Sequence, residues 1–482
     1  MPPAIALAAP VAAPLAAAAL YGLLGWRRAT APLAAVAAAA ILACGIALAN
    51  GPGAALGPLL RADALSAFML IAIGAVGLLA CAAGPAYIAD ETRAGRVGPR
   101  ASRWYGVLTS AFLAAMALAV LAANFGVLWI AVEATTILTA FLVGFRRTRR
   151  SVEAAWKYVV VCSVGIALAL LGIVLLQFAA RAAGIADSLD TAALAAHAAD
   201  LDPGTTRTAI ALIILGFGTK AGLAPMHAWL PDAHSQAPAP VSALMSGVLL
   251  STAFYAVLRA KAVADPALGP GFARTLLLVA ALASIALAAA LMIAQRDYKR
   301  LLAYSSIEHM GLIALGTAIG GPLAQSAVLL HILGHGLAKT TAFLAAGQIL
   351  ARTGTTRIDR VAGLAAAHPF LGGAFALALA ALAGLPPFSL FASEVGLARA
   401  GFGAGLGWAV ALALAGLLAA AAAMAFHGGR MLLGPGTLQS RHPAAQAVPL
   451  VAALAACAAA GLAAYPLEPV IDQAQALIGG AR

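Results

Sequence analysis

Apolar residues run through this chain in continuous stretches of about 20, separated by short segments rich in Gly, Pro, Asp and Arg. A helix rising about 1.5 Å per residue needs about 20 residues to cross a hydrocarbon layer of about 30 Å, so each stretch reads as a membrane span. Bounding the stretches by charge, Gly or Pro predicts about fourteen spans. They lie near 4–24, 31–50, 63–83, 104–122, 125–144, 154–179, 207–230, 241–260, 273–294, 301–320, 324–350, 369–400, 407–427 and 446–465. The runs are Ala/Leu-rich without the alternation of barrel strands, so the expected fold class is an all-α polytopic membrane protein. The first run lacks a charged segment before it and is expected to be a spanning helix, not a cleaved signal.

Two of the spans are broken. The seventh carries Lys220 and then a run of prolines, Pro225, Pro231, Pro238 and Pro240, with His227, Asp232 and His234 among them. The twelfth breaks at Pro386 and Pro387. Ala221-Gly222-Leu223-Ala224-Pro225 in the first break recurs 162 residues later as Ala383-Gly384-Leu385-Pro386-Pro387. The second break lies five spans after the first, an odd offset, so the halves that carry them are expected to lie in opposite orientations. Paired interrupted helices in inverted halves point to a transport site.

Composition excludes the soluble classes. With 63% hydrophobic and 10% charged residues and a mean hydropathy of +0.97, there is too little polar surface to face water. The net charge of +12 comes from Lys and Arg in the connectors, where they set topology, and no nucleic-acid partner is expected. One side holds Arg27, Arg28, Arg93, Arg96, Arg100, Arg103, Arg146, Arg147, Arg149, Arg150, Arg296, Lys299, Arg300, Arg352, Arg357, Arg360, Arg430 and Arg441. The other holds Arg61, Arg181, Arg207, Arg259, Lys261, Arg274, Arg399 and Arg482. The richer side is expected to be cytoplasmic, which places both termini in the periplasm of a bacterial inner membrane. Cys44, Cys81, Cys162 and Cys457 lie singly in expected spans, a spacing that offers no iron–sulfur or zinc ligand set.

A charge at mid-membrane costs about 2.5–3.5 kcal/mol, so each one requires a reason. Glu133, Lys220, Lys339 and Glu394 fall inside expected spans. Lys157 lies close enough to an end to be interior or to snorkel outward. Glu133 and Lys220 read as a buried pair, and transport is favoured over a purely structural pair because such pairs contribute little net stability. His331, His335 and Lys339 recur every four residues and share a stripe about 80° wide. A row of titratable groups suits proton relay. Satisfied core histidines are the second reading, and a metal is disfavoured by the adjacent lysine. Asp232, His227 and His234 fit turn capping or water gating equally well. Glu308 and His309 read as an entrance or a polar interface. The run Gly401–Gly407 follows no strand and reads as a connector.

The block GFGTKAGLAPMHAWLPDAHSQAPAPVSALMSG, together with Glu133 and HILGHGLAKTTAF, resembles the antiporter-like proton-translocating subunits of complex I, membrane-bound hydrogenases and Mrp cation/proton antiporters. Within them, KYVVVCSVGIALALLG, PDAHSQAPAPVSALMSGVL and RDYKRLLAYSSIEHMGLI are most similar to the F-type membrane component of hydrogenase-4, which belongs to formate-hydrogenlyase-type complexes. The resemblance implies two inverted five-helix repeats with broken helices seven and twelve. It divides the chain into an N-terminal three-helix segment (1–100), a first repeat (101–265), a second repeat (266–430) and a C-terminal helix (431–482), without the long lateral helix of L-type subunits. It implies a mid-membrane polar axis over Glu133, Lys220, His331, His335, Lys339 and Glu394, to which the candidate proton path adds His227 and His234 from the first break. It also implies a non-redox subunit of an oxidoreductase complex, with no cofactor of its own. The partners the resemblance implies are other membrane subunits and peripheral redox subunits carrying iron–sulfur clusters and a NiFe centre. Many relatives carry a lysine near the position of Ser251, and its absence interrupts the expected path. The alternatives are a subunit of an Mrp-type antiporter and a membrane coupling subunit for inorganic-carbon uptake on a soluble zinc partner.

Overall fold

The structure is a computed structural model that describes residues 2–51, 53–434, 444–464 and 467–478. Arg441 and Arg482, both used in the charge tally, lie outside the described residues. The chain begins with α1 (Pro3–Leu24) and α2 (Leu33–Ala49), followed by a hairpin of β1 (Ala54–Leu56) and β2 (Leu60–Ala62) with Ala55 opposite Arg61. Next come α3 (Ala64–Arg93), α4 (Pro99–Leu121), α5 (Phe125–Val143), α6 (Arg149–Ala182), the short α7 (Thr191–Ala196) and α8 (Pro203–Lys220). Then follow α9 (Trp229–Gln236), α10 (Ala239–Leu244), α11 (Leu250–Leu268), α12 (Pro270–Ile293), α13 (Tyr298–Ile319) and α14 (Gly321–Thr353). The chain continues through α15 (Leu364–Ala367), α16 (Pro369–Leu382), α17 (Ser389–Gly403), α18 (Gly407–Leu432), α19 (Ala444–Leu462) and α20 (Glu468–Ile478).

Among the described residues, nine helices are long and apolar enough to cross a membrane, counting Ala239–Leu268 as one, and three shorter apolar helices accompany them. The small hairpin is an addition to the all-α expectation. Helix starts follow local chemistry. Side chains of Asp63, Asn124, Thr148, Asp202 and Asp297 accept from backbone N–H groups one turn on, opening α3, α5, α6, α8 and α13. The core lies where α3, α10, α11, α13 and α14 meet, and residues 239–258 are buried throughout, while Pro266 near the end of α11 is exposed.

The breaks are built alike. α8 stops at Lys220 because Gly222 turns to φ +80, and Leu223 N–H and Gly222 N–H reach back to Gly218 O (2.9 Å) and Thr219 O (3.1 Å). α16 stops at Leu382 in the same way, with Gly384 at φ +65. There Leu385 N–H and Gly384 N–H donate to Ala380 O (3.1 Å) and Ala381 O (3.2 Å). Only glycine takes this left-handed step without strain, and the paired bonds satisfy carbonyls that a membrane interior would otherwise leave bare. A cis proline peptide follows in each turn, Ala224–Pro225 and Pro386–Pro387.

Two expectations are corrected. The seventh span does not run on past Lys220: Lys220 is the last helical residue, and Asp232 and His234 sit on the separate helix α9, not in a loop. Lys299, placed among the connector charges by its neighbours, is buried on the first turn of α13.

Candidate functional site along the buried polar axis

Glycines set the first cluster. A Cβ on Gly165 of α6 would lie 2.6 Å from Thr219 Cβ, and one on Gly216 of α8 would lie 2.5 Å from Gly165 O. Two helix backbones therefore touch, as small residues permit in membranes. The last turn of α8 is carried against α6, and fully buried Lys220 donates to Tyr158 OH and to Thr136 Oγ1 (2.8 Å). Its ammonium also lies 4.6 Å from the Tyr158 ring centroid. Thr136 Oγ1 in turn donates to Glu133 Oε2 at 3.0 Å. The expected Glu133–Lys220 ion pair is thus not direct. Thr136, one turn beyond Glu133 on α5, stands between the charges as a hydroxyl that accepts from one and donates to the other. Tyr158 OH is bonded on its far side to Thr139 Oγ1 at 2.7 Å.

Aromatic rings lead inward from this cluster. Trp229 of α9 packs on Tyr158 with centroids 4.8 Å apart and donates from Nε1 to Thr219 O (3.0 Å). Buried His234 lies between Trp229 and Phe343, at 5.9 Å from each, and Lys339 and Lys299 act on it electrostatically. Neither of its ring nitrogens has a hydrogen-bond partner among the described residues. Lys299 donates to Ala237 O at 2.9 Å, just past the end of α9.

Asp232 points away from the axis. It pairs with Arg300 and, at 3.3 Å, with Lys157, which also holds Glu153 at 2.7 Å. Lys157 is half exposed, so its interior reading is overturned. The same pairs, not cap bonds, occupy the Asp232 carboxylate. His227 is half-buried in the turn, and its Nδ1 has no hydrogen-bond partner among the described residues.

The second cluster is built on α14, whose His331, His335 and Lys339 are all fully buried. Lys339 Nζ donates to Leu302 O (2.7 Å) and to Ser305 Oγ. His331 is bonded through Nε2 to His309 Nδ1 (3.1 Å) and through Nδ1 to Ser393 Oγ (2.8 Å). Ser393 donates its own proton to Leu390 O at 2.8 Å. The direction of the chain then follows. His331 Nδ1–H donates to Ser393, its Nε2 accepts from His309 Nδ1–H, and His309 Nε2 is left as a buried acceptor with no partner among the described residues. The His335 ring lies 5.1 Å from that of His309.

Ser393 adjoins Glu394, whose carboxylate occupies the space beside Gly384, where a Cβ would stand 2.1 Å from Oε2. Glu394 and Lys339 both act electrostatically on buried Glu308. Between the clusters, Met245–Leu249 forms a π turn joining α10 to α11, and Gly247 meets Gly336 of α14 nearly backbone to backbone. Ser246 on that turn bonds Ser306 at 2.8 Å, while Ser251 is buried with its hydroxyl unpartnered among the described residues.

The hydroxyls of Thr136, Tyr158, Ser305 and Ser393 are absent from the sequence expectations, because Ser, Thr and Tyr in an apolar helix usually bond their own backbone. His309 and Glu308 prove central, not peripheral. Their signal is the density of polar and titratable residues in Tyr304-Ser305-Ser306-Ile307-Glu308-His309, where only Ile307 is aliphatic.

The NADH:quinone oxidoreductase/Mrp antiporter transmembrane family matches residues 122–419, which contain both clusters. The chain belongs to that family. It is 42% identical over 338 residues to a hydrogenase-4 component F homolog of Methylacidiphilum infernorum, covering 69% of this chain and 70% of that protein. It is 36% identical over 270 residues to NADH-quinone oxidoreductase subunit N of Desulforudis audaxviator, covering 55% of this chain and 52% of that one. Against this second relative the chain spans about half the length. The fold superposes on a chain of respiratory complex I from Thermus thermophilus with a TM-score of 0.80 and 26% identity, over 99% of this chain and 100% of that chain. It is an integral membrane protein of the antiporter-like kind.

Proposed function

We propose that this chain is the proton-translocating membrane subunit of a multi-subunit redox complex of the hydrogenase-4 type. The observation that carries the reading is a set of titratable groups with hydroxyls between them, buried at Lys220, His234, Lys339, His309 and His331 and half-buried at the end carboxylates Glu133 and Glu394. Its bonded segments run from Glu133 through Thr136 to Lys220 and from His309 through His331 to Ser393, the sequence neighbour of Glu394, and His234 and Lys339 belong to the same buried set. Each charge in it has a desolvation cost that a purely structural bundle gains nothing by bearing. Ten of the fourteen expected spans form two inverted five-helix repeats, 101–265 and 266–430, with three spans in the N-terminal segment 1–100 and one in the C-terminal segment 431–482 outside them. The like closures at Gly222 and Gly384 support that symmetry. The arginine-rich side is cytoplasmic in a bacterial inner membrane, and both termini are periplasmic.

A redox event in partner subunits, which carry the iron–sulfur and NiFe centres, changes the separation of Glu133 and Lys220. Lys220 then gives up its proton toward His234 and Lys339. His309 Nε2 takes up a proton at the start of the second chain, His331 passes one on to Ser393, and Glu394 releases one. Lys299, buried beside Ala237, supplies the cytoplasmic side of the Lys339 cluster, and a crevice lined by Tyr87, Asp90, Glu91 and Gln348 opens there between α3, α10 and α14. His227 stands at the edge of the first break and does not join the bonded segments.

The test is redox-linked proton pumping by the intact complex in vesicles. Lys220→Ala and Glu133→Ala are each expected to abolish pumping, and wild-type pumping in either variant refutes the mechanism. Because Mrp antiporters share the family, a second arm measures sodium-dependent proton flux without electron donor. Flux there in place of redox-linked pumping assigns the chain to a cation/proton antiporter.

A further inference from the structure

One buried polar stripe lies outside the bonded segments of the axis. On α11, Ser251, Tyr255 and Arg259 recur every four residues and share a face about 80° wide. Ser251 stands where α11 passes both halves of the molecule. A Cβ on Gly222, at the first break, would lie 3.9 Å from its neighbour Leu250, and one turn before it Gly247 meets Gly336, the residue after His335 on α14. From there the stripe leads outward. Ser251 and Tyr255 are buried, the Arg259 side chain is 15% exposed, and that of its partner Asp63, which opens α3, is 24% exposed. Asp63 and Glu91 mark opposite ends of α3, whose 30 residues span about 45 Å, so the stripe ends far from the crevice at Glu91.

The outer end of the stripe is closely bonded. Arg259 forks onto both oxygens of Asp63 at 2.7 Å, and also donates to Ser66 Oγ (3.1 Å) and, through Nε, to Tyr255 OH (2.9 Å). Tyr255 OH has one proton and gives it to Val120 O at 2.9 Å. Ser66 Oγ also has one proton, but two acceptors stand within reach, Asp63 Oδ1 at 3.1 Å and Tyr255 OH at 3.2 Å. The Ser66 hydroxyl can therefore turn between a buried phenol and a carboxylate that reaches the surface. At the inner end, the buried Ser251 hydroxyl has no partner among the described residues. A structural lock needs the Arg259–Asp63 fork, and the adjoining Arg61–Asp190 pair (2.8 Å) supplies a second one. It does not need a hydroxyl with a choice of acceptors on the inner side of the fork.

We propose that Tyr255, Ser66 and Asp63 form a proton outlet that branches from the middle of the axis at Ser251, with Arg259 as its positioning residue. The inference rests on the reading of the axis as a proton path. As a proton reaches the Tyr255 oxygen from the inner side, the phenol's own proton swings from Val120 O to Ser66 Oγ. Ser66 gives its proton to Asp63 Oδ1, and Asp63 releases it to solvent. Each oxygen gains one proton and loses one, so rotation of the two hydroxyls resets the chain. Arg259 bonds all three oxygens and stabilises the negative charge that develops on them as the proton passes. Glu394 remains a separate exit.

The test measures protons pumped per electron pair by the intact complex in vesicles, with the thermal midpoint in detergent read in parallel. Ser66→Ala keeps the Arg259–Asp63 fork and the Ser66 N–H bond to Asp63 (2.9 Å) but removes the hydroxyl. It is expected to lower the protons pumped per electron pair about twofold, as one of two exits closes, at an unchanged midpoint. Ser66→Thr returns the hydroxyl and is expected to recover wild-type pumping. Tyr255→Phe also spares the fork, is expected to match Ser66→Ala, and decides the question if that variant does not assemble. Wild-type pumping by Ser66→Ala or Tyr255→Phe, or a loss that Ser66→Thr does not repair, overturns the outlet. A midpoint that falls together with pumping makes the cluster a structural lock and overturns it equally. Lys220→Ala separates the two claims: if it abolishes pumping while Ser66→Ala pumps as wild type, the axis stands and the outlet falls.

Discussion

Thr136→Val removes one hydroxyl and keeps the shape of the side chain. Lys220 Nζ has two side-chain acceptors, Thr136 and Tyr158, and Glu133 has one hydroxyl donor, Thr136. The substitution therefore takes one of two bonds from the buried lysine and the bridging bond from the glutamate. A hydrogen bond to a charged group contributes about 1.5–3 kcal/mol. If that energy holds the two charges in proton-transfer register, losing it slows transfer about tenfold to a hundredfold, at about 1.4 kcal/mol per decade. The assay is the initial rate of vesicle acidification by the reconstituted complex, with electron transfer measured in parallel. Thr136→Ser restores the hydroxyl and is expected to recover most of the rate. Wild-type pumping by Thr136→Val, or equal loss in both variants, refutes the hydroxyl as the link.

His309→Phe preserves a ring in the cluster but removes both the bond to His331 and the free acceptor, so pumping should fall at least about a hundredfold, within the range of positioned acid–base groups. A normal yield of assembled complex with that loss separates relay from folding, and unchanged acidification rates contradict the direction assigned to the chain. Gly216→Leu places a side chain where Gly165 O lies 2.5 Å from a Cβ, and should cost about 1–3 kcal/mol. It is expected to lower the thermal midpoint in detergent and to remove Lys220 from Tyr158. A variant of wild-type stability would show that the helices part easily.

Much of the molecule is legible because a membrane simplifies the rules. Apolar length locates the helices, and the isolated charges Glu133, Lys220, Lys339 and Glu394 stand out against alanine and leucine. What the chain does not display is who faces whom. Lys299 lies in a connector-like run of charge, and only the start of α13 at Tyr298 and its bond to Ala237 make it interior. Thr136 is one of several threonines on α5, and its part depends on the Gly165–Gly216 crossing that brings Lys220 to it. The gap at Ser251 has a similar lesson. Pattern comparison shows a missing lysine, whereas packing places His234 near Lys339 and a Ser246–Ser306 pair in the same central region.

The π turn at Met245–Leu249 inserts one residue of winding between α10 and α11. One residue is about 100° of helical phase, so the faces of the two segments are offset by about a quarter-turn. Ser246 is aimed at Ser306, while further along the same helix Tyr255 and Arg259 are aimed at Ser66 and Asp63, with Arg259 to Asp63 at 2.7 Å. Only one length of chain between Pro238 and Arg259 satisfies both targets at once. The count of residues in this helix is therefore a specification in its own right, as strict as the identity of any side chain on it.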